Sequence, residues 1–235
     1  MSQKNKWILE EDAKKAISLF MLPDHCVEAR LLGAVLPGSY RPAVVHGFFD
    51  SVDSLILELR KPVRWDGAYL TLNPVDSALM ARANNRLKVA GTGGGTSDKD
   101  VRRLKWILID LDPVRPAGIS STDQEKLRAW VKLILIREHL DRKLGVAAHV
   151  VADSGNGFHL LYQIDLPPSE ARLVKGVLEE TANCFDDAFV KVDRKVFNPS
   201  RITKLYGTLA AKGDSTLTRP HRFSRILEIQ GVAND

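Results

Sequence analysis

Cysteine is scarce in this sequence: only Cys26 and Cys184 occur among 235 residues, and neither belongs to a CxxC pair. This argues against a disulfide scaffold or a cysteine-based zinc site, and it suits a reducing cytoplasm. No run of about 18 apolar residues occurs, and the N-terminal segment lacks the apolar core of a signal peptide. We therefore expect a soluble, cytoplasmic protein without a membrane partner.

Neither sign of charge dominates. The chain has 34 Lys and Arg residues against 29 Asp and Glu, which gives a net charge of +5 and a pI near 9.2. Mild basicity permits a polyanionic partner without requiring one. Hydrophobic residues make up 44% of the chain, which is typical of a globular protein. Its 235 residues suffice for one large α/β domain or two small subdomains that share a core.

A glycine-rich stretch, residues 91–97, divides the sequence. It lacks the Gly-Lys-Ser/Thr ending of a phosphate-binding loop, so a flexible connector is favoured over a phosphate cradle. Before it, the pattern is that of a mixed α/β module. The predicted elements are helices at 8–21, 24–32 and 51–59, strands at 44–49 and 68–72, and a further helix after Pro74.

After the glycine-rich stretch the pattern predicts the order β-α-β-β-α-β. This is the split arrangement of ferredoxin-like and RNA-recognition folds and of many polymerase palms. We expect an N-terminal α/β subdomain (1–100) fused to this palm-like subdomain (101–235). The predicted elements are strands at 105–112, 147–152, 158–164 and 189–193, a helix from the Thr122–Glu125 capping box to 143 with Leu127, Trp130, Val131 and Ile134 inward, and a helix capped by Ser169 that runs to 187.

Two carboxylates lie at the end of the first of these strands. Side chains alternate along a strand, so Asp110 and Asp112 point the same way, roughly 6–7 Å apart at Cα. Carboxylates this close repel each other unless a cation lies between them, and hard oxygen ligands suit Mg²⁺ or Mn²⁺. A solvated strand end would show the same Asp-x-Asp pattern.

The predicted hairpin turn reads Asp153-Ser-Gly-Asn-Gly157 and leads into His159. Gly155 and Gly157 permit positive φ and exposed amides, which are the elements of an anion-binding nest. Ser154 and His159 would present a hydroxyl and an imidazole to the same region, which suits the oxygens of a triphosphate. The alternative is an ordinary turn followed by a surface histidine.

Asp193 follows at the end of the last predicted strand, with Arg201, Lys204 and Lys212 after it. In the split order, this strand and the strand of Asp110 can be neighbours, so Asp193 can complete a three-carboxylate site. The three cations are spaced to contact phosphates or a nucleic-acid backbone, or they form a basic surface edge.

In this order, the motifs closely resemble those of the archaeo-eukaryotic primase superfamily, and in particular the primase-polymerase domains of bacterial plasmids, viruses and mobile elements. The likeness covers residues 105–212, and Gly67–Val75 and Arg82–Asn85 look like the N-terminal part of such domains. The zinc-binding cysteine cluster of some relatives is missing. No helicase-like region follows residue 235, so we expect a stand-alone enzyme or an excised domain.

The resemblance implies a DNA-dependent primase-polymerase, a nucleotidyltransferase active in DNA replication and primer synthesis. It implies two Mg²⁺ or Mn²⁺ ions held by Asp110, Asp112 and Asp193, and triphosphate binding by Ser154 and His159 in the turn that also holds Gly155 and Gly157. Either Lys204 or Lys212 would also help to bind the triphosphate, and Arg201 is a weaker candidate for this role. Expected partners are a single-stranded DNA template, a primer, ribo- or deoxynucleoside triphosphates, and a helicase in cis or in trans.

Other functions use the same palm-like order. They include a nucleotidyl cyclase, an end-joining polymerase, a non-catalytic nucleic-acid-binding module and a strand-nicking replication initiator. The binding module is disfavoured because the candidate sheet face carries carboxylates rather than stacking aromatics. The initiator is disfavoured because the sequence lacks a His-hydrophobe-His metal pair and paired tyrosines.

Overall fold

The computed structural model describes residues 6–230. The fold is mixed α+β, as the sequence predicted. The α-helices of this region are α1 (Glu10–Phe20), α2 (Val52–Leu59), α3 (Asp123–Leu144) and α4 (Ala171–Phe185). The first two pack against one antiparallel sheet and the last two against another. Short 3-10 turns lie at Ser77–Arg82, Asp98–Asp100 and Pro168–Glu170.

The first sheet has the strand order β4-β2-β1-β3-β9. Its strands are β1 (Val27–Ala34), β2 (Ala43–Phe49), β3 (Gly67–Thr71), β4 (Lys88–Val89) and β9 (Ile202–Lys204). One face is apolar and packs under α1 and α2, while the opposite face carries polar side chains. This polar face becomes one wall of the candidate site.

The helix predicted over residues 24–32 is wrong, because this segment forms β1. Val27, Ala29 and Leu31 alternate toward the apolar face and are fully buried. β1 is hydrogen-bonded to β2 on one side and to β3 on the other. Pairing on both edges and burial of one face outweigh a local helical pattern. The helix predicted after Pro74 is the short 3-10 turn at Ser77–Arg82.

The second sheet has the strand order β12-β6-β7-β5-β8. Its strands are β5 (Leu104–Pro113), β6 (Val150–Asp153), β7 (Phe158–Leu166), β8 (Val190–Val192) and β12 (Arg225–Ile229). With α3 after β5 and α4 after β7, the predicted β-α-β-β-α-β arrangement is confirmed. β8 pairs directly with β5, which brings the segment before Asp193 alongside Asp110.

α3 begins at the predicted capping box: the Thr122 side chain accepts a hydrogen bond from the Glu125 N–H, and the Glu125 carboxylate accepts from the Thr122 N–H. Its inward face was predicted wrongly. The residues predicted to face inward include three that are exposed, Leu127, Val131 and Ile134, while Trp130 is partly buried. The helix instead buries Ala129, Leu133, Ile136 and Leu140. Apolar residues lie on both sides of α3, so periodicity could not determine which side packs on the sheet.

The cap predicted at Ser169 is also wrong. Ser169 lies inside the 3-10 turn Pro168–Glu170, and α4 begins two residues later at Ala171, without a side-chain cap bond from Glu170. Proline at the first position of the turn fixes the backbone there and favours this tighter start.

The segment after β8 crosses back to the first sheet, where β9 pairs with β3. It then forms the small hairpin of β10 (Leu209–Ala210) and β11 (Arg222–Phe223) before β12 returns to the second sheet. The two sheets therefore share one continuous core. The proposed division into 1–100 and 101–235 stays a prediction. Within residues 6–230, no helix combines the length and apolar composition that a bilayer crossing requires.

Candidate active site

Asp110 and Asp112 lie on the same face of β5, where the two sheets approach each other. In the sheet register Asp110 is opposite His159 of β7. All three side chains line a cavity of about 90 Å³. The lining residues are Asp66, Tyr69, Leu108, Asp110, Asp112, Arg115, Ser154, Asn156, His159, Ile202, Thr203, Lys204, Ala210 and Lys212.

The two carboxylates differ in their electrostatic surroundings. Burial raises the pKa of Asp112, and the negative charge of Asp110 raises it further. Burial also opposes ionisation of Asp110, but the combined attraction of His159 and nearby cations lowers its pKa. The pair therefore concentrates negative charge in one cavity, an arrangement that a bound cation relieves.

Arg115 is a member of the cavity that the sequence prediction missed. Its guanidinium donates to Asp112 Oδ1 at 3.1 Å and to the carbonyl oxygens of Pro113 and Ile119. Its side chain is only 9% exposed. The available signal was a cation three residues after Asp112, which is weak without the strand geometry.

His159 shares the face of Asp110, but it is not the surface histidine of an ordinary turn. It is 3% exposed, with Nδ1 2.7 Å from the Tyr206 hydroxyl and Nε2 3.3 Å from Asp110 Oδ1. A carboxylate can only accept, so Nε2 must carry the proton to bond Asp110. In the neutral ring Nδ1 then accepts from the Tyr206 hydroxyl, and the Nε2–H points into the cavity. Tyr206 was not predicted as a contributor.

The hairpin turn does not offer the free amides expected of a nest. The Gly155 N–H donates to Asp153 Oδ1 at 2.7 Å, and the Gly157 N–H donates to Ser154 Oγ at 3.0 Å. Glycine is favoured at position 155 because its φ is +95°. At position 157 glycine is favoured because the backbone of β5 lies very close. A Cβ at Gly157 would lie 2.1 Å from the Leu111 carbonyl oxygen.

Gly157 therefore allows β7 to approach β5 closely beside Asp112. A Cβ at this position would also lie 2.9 Å from Asp112 Oδ1. The turn is further fixed by Asn156, which the prediction did not single out. Its side-chain oxygen accepts from the Ser121 N–H, and its carbonyl accepts from the Ser121 hydroxyl.

Asp193 lies beside Asp110, as the split order predicted, because its N–H donates to the Asp110 carbonyl at 2.9 Å. Its side chain is engaged elsewhere: Oδ1 accepts from the Lys195 N–H at 2.8 Å. Asp193 is not among the cavity-lining residues. The structure thus brings the backbone of Asp193 alongside Asp110, and Oδ1 of its carboxylate is held by the Lys195 N–H.

In the part of the chain that the structure describes, no three His, Cys, Asp or Glu side chains are grouped to hold a metal ion. Asp110 and Asp112 supply two carboxylates to one cavity, and hard oxygen donors fit Mg²⁺ or Mn²⁺. Asp193 has one of its two carboxylate oxygens, Oδ1, bonded to the Lys195 N–H. Metal binding by Asp110, Asp112 and Asp193 therefore stays a prediction.

Lys204 enters the cavity from the opposite wall, since β9 places it opposite Tyr69 of β3. It is 5% exposed, and Nζ donates to the Leu209 carbonyl at 3.3 Å. Among residues 6–230, no carboxylate oxygen lies within 4.0 Å of Lys204 Nζ, so Lys204 forms no ion pair there. Burial lowers the pKa of Lys204 to about 7, and the positive charge of Lys212 adds to this effect. A buried lysine without a counter-ion is rare.

The other two predicted cations differ in position. Lys212 is exposed and lines the mouth of the cavity. Arg201 lies outside the lining, where its guanidinium donates to Asn198 Oδ1 and to the Lys195 carbonyl oxygen. Tyr69, Asp66 and Thr203 line the cavity without having been predicted individually. Tyr69 falls inside the Gly67–Val75 segment that carried the resemblance.

The chain matches no protein-family model and no curated protein. Among solved structures it is similar to the polymerase domain of Ligase D from Mycobacterium tuberculosis, solved in complex with DNA. The TM-score is 0.49 and the sequence identity 12%, over 94% of this chain and 86% of that chain.

Proposed function

We propose that this protein is a metal-dependent nucleotidyltransferase of the primase-polymerase type. It joins the α-phosphate of a nucleoside triphosphate to a 3′-hydroxyl, or to an initiating nucleotide, on a single-stranded DNA template and releases pyrophosphate. One observation carries the proposal: a single cavity holds two carboxylates on one wall and a buried, unpaired lysine on the other. Phosphoryl transfer needs both kinds of group around one substrate.

The carboxylates are the proposed metal ligands. Asp110 and Asp112 would hold Mg²⁺ or Mn²⁺, with Asp193 as the third ligand. When bound, the ions supply Lewis-acid stabilisation of the phosphate oxygens and lower the pKa of the attacking hydroxyl. Arg115 donates to Asp112 and fixes the orientation of that carboxylate.

The lysines are the proposed triphosphate ligands. A buried ammonium is costly without a counter-ion, so a phosphate oxygen beside Lys204 relieves that cost as it binds. Of the two lysines that the sequence left undecided, the burial of Lys204 favours it for the direct contact. Lys212, at the mouth, attracts the nucleotide and screens the terminal phosphate.

The hairpin residues have a supporting role in this proposal. The His159 Nε2–H donates either to Asp110 or to a phosphate oxygen, and Tyr206 holds the ring in that tautomer. Ser154 Oγ accepts from Gly157, so its own proton is left to donate to a phosphate. Gly155 and Gly157 shape the turn rather than bind the anion directly.

The test is to incubate the protein with single-stranded DNA templates, labelled ribo- or deoxynucleoside triphosphates, and Mg²⁺ or Mn²⁺, with and without a primer. Products resolved by length should depend on the template and end where it ends. Products without primer establish priming, and products only with primer establish extension alone. An Asp110→Asn preparation is the control for contaminating polymerase. A cyclised mononucleotide, or no product with any metal and nucleotide, overturns the proposal.

A further inference from the structure

The outer side of α3 carries a stripe of apolar side chains. Leu127, Val131, Ile134 and Leu135 are between 41% and 61% exposed. Their spacing of i, i+4, i+7 and i+8 places them together on one side of the helix. The opposite side of α3 packs on β5 and β7. A helix that is apolar on both sides is usually covered on both, so the stripe marks a surface for a partner.

A groove beside the stripe enlarges this apolar surface. It has a volume of about 400 Å³ and lies between α3 and β8, where Phe189 and Val190 line it. Phe189 is 53% exposed, and the Arg128 guanidinium lies 4.3 Å from the centre of its ring. Leu127 and Val131 line the same groove, so stripe and groove are continuous. We call them together the α3 face.

The charges of the α3 face indicate which partner it fits. Most charged side chains of α3 form ion pairs within their own chain, for example Lys132 with Asp187 at 2.7 Å. Arg128 and Glu138 are exposed, and within residues 6–230 neither has an oppositely charged group within 4.0 Å. They lie near the two ends of the apolar stripe. A surface with a cation at one end and an anion at the other is complementary to a second copy of itself turned by 180°.

Two antiparallel copies of α3 satisfy the charged and the apolar positions in one register. In a two-fold pair, each contact occurs twice, with the roles of the two copies exchanged. The register that places Arg128 opposite the partner's Glu138 also places Val131 opposite the partner's Leu135, because both pairs are symmetric in sequence about Leu133. Ion pairs therefore flank an apolar centre, as in other helix–helix interfaces.

We propose that this protein forms a two-fold symmetric dimer through the α3 face, with the two α3 helices antiparallel. The Arg128 guanidinium of each copy pairs with the partner's Glu138 carboxylate, and the apolar stripes cover each other. With 22 residues α3 is about 33 Å long, so one helix pair buries less surface than a permanent interface does. We therefore expect a weak dimer, with a Kd of about 10–100 µM.

The proposed dimer leaves the cavity of each copy open. Phe158 points toward α3, where its ring lies 5.2 Å from that of Trp130. Side chains alternate along β7, so His159 points to the opposite side of the sheet, into the cavity. The cavities thus face away from the interface, and the dimer is independent of the proposed function.

The first experiment is sedimentation velocity over protein concentrations from about 1 to 500 µM, a range that brackets the expected Kd. The wild type should change from monomer to dimer, and Leu135→Glu should stay monomeric because it buries a carboxylate in the apolar centre. The matched control is Leu173→Glu on α4, since Leu173 is 57% exposed and Leu135 49%. It should dimerise like the wild type. A wild type that is monomeric throughout, or equal behaviour of the two variants, overturns the proposal.

The second experiment tests the register by exchanging charges. Arg128→Glu and Glu138→Arg each set like charges opposite each other at both symmetric contacts, so each variant should dimerise about tenfold more weakly. A mixture of the two variants should form a heterodimer of about wild-type affinity, because every contact then joins opposite charges. The Arg128→Glu/Glu138→Arg double variant should recover in the same way. If neither the mixture nor the double variant recovers, the antiparallel arrangement is wrong.

Discussion

The two sheets bring opposite charges to one cavity. The second sheet contributes the carboxylates of Asp110 and Asp112, while the first sheet contributes Lys204 from β9. The two halves differ in how they hold charge: the pKa of Asp110 is lowered and that of Asp112 is raised, whereas burial lowers the pKa of Lys204. The difference teaches that the charged form of Lys204 on the basic wall opposes folding, whereas the acidic wall holds one carboxylate whose charged form is favoured. In the proposed function the Asp110–Asp112 pair binds the metal and Lys204 binds the phosphates of the nucleotide.

The largest expected effect comes from removing charge on the acidic wall. Asp110→Asn keeps the size of the side chain but removes a proposed metal ligand, so template-directed synthesis should fall by more than about 10²-fold. Steady-state kinetics with primer and template measure the loss. A thermal melt within a few degrees of the wild type would separate lost chemistry from lost fold, and near-normal synthesis would contradict the role of this wall.

Lys204 in the basic wall should make the free energy of unfolding depend on pH. The folded pKa of Lys204 is about 7, below the ordinary 10.5, so between these values the unfolded chain binds more protons than the folded one. The stability of the wild type should therefore rise with pH across this window, and below about pH 7 the full penalty applies. At about 1.4 kcal/mol per pKa unit, the penalty is several kcal/mol.

Lys204→Met removes this penalty, so the variant should be more stable than the wild type near pH 6, and its advantage should shrink toward pH 10. Urea unfolding of both proteins across this range measures the difference, and a difference that does not change with pH would refute the buried charge. The same variant should raise the KM for nucleotide about 10- to 100-fold, because it loses a charge-assisted phosphate contact.

A smaller effect tests how closely the second sheet is packed behind the acids. Gly157→Ala places a Cβ 2.1 Å from the Leu111 carbonyl oxygen, so β7 must shift away from Asp112. We expect a loss of about 1–3 kcal/mol in the free energy of unfolding and a lower kcat. The matched control is Gly176→Ala, in open space on α4, which should gain about 1 kcal/mol. Equal effects of the two substitutions would refute the close approach.

The smallest effect distinguishes the remaining cations. Lys212→Gln should raise the KM for nucleotide about 10-fold, because Lys212 lines the cavity mouth. Arg201→Gln should change it less than about twofold, because Arg201 is bonded to Asn198 and Lys195 outside the cavity. If Arg201→Gln raised the KM for nucleotide more than Lys212→Gln does, the phosphate-binding role would be assigned to the wrong residue.

Local patterns were sufficient to predict the acidic wall. Asp110 and Asp112 are separated by one residue on a strand, so alternation alone puts them on one face. The pairing of β5 with β7 and β8 followed from the predicted element order. Sequence could not give the orientation of the Asp193 side chain, which depends on a bond to the Lys195 N–H.

The basic wall depends on contacts between distant parts of the chain. Lys204 reaches the cavity because β9 pairs with β3, and no local pattern predicts that pairing. The wrong helix prediction at β1 has the same origin, since its strand state comes from its neighbours on both sides. Residues that act through long-range pairing, such as Tyr69 and Tyr206, were therefore missed.

The pairing of β9 with β3 also sets the order in which the protein is completed during translation. A ribosome that has just made Asp112 has already synthesised β1 to β4, but the outer edge of β3 has no partner until residue 204 has also been synthesised. The nascent chain thus carries an open sheet edge for more than half of its synthesis, from the end of β3 at residue 71 to residue 204, a state prone to wrong pairing. Its closure brings Lys204 to Tyr69, so the last strand to join the first sheet also delivers the buried lysine of the cavity.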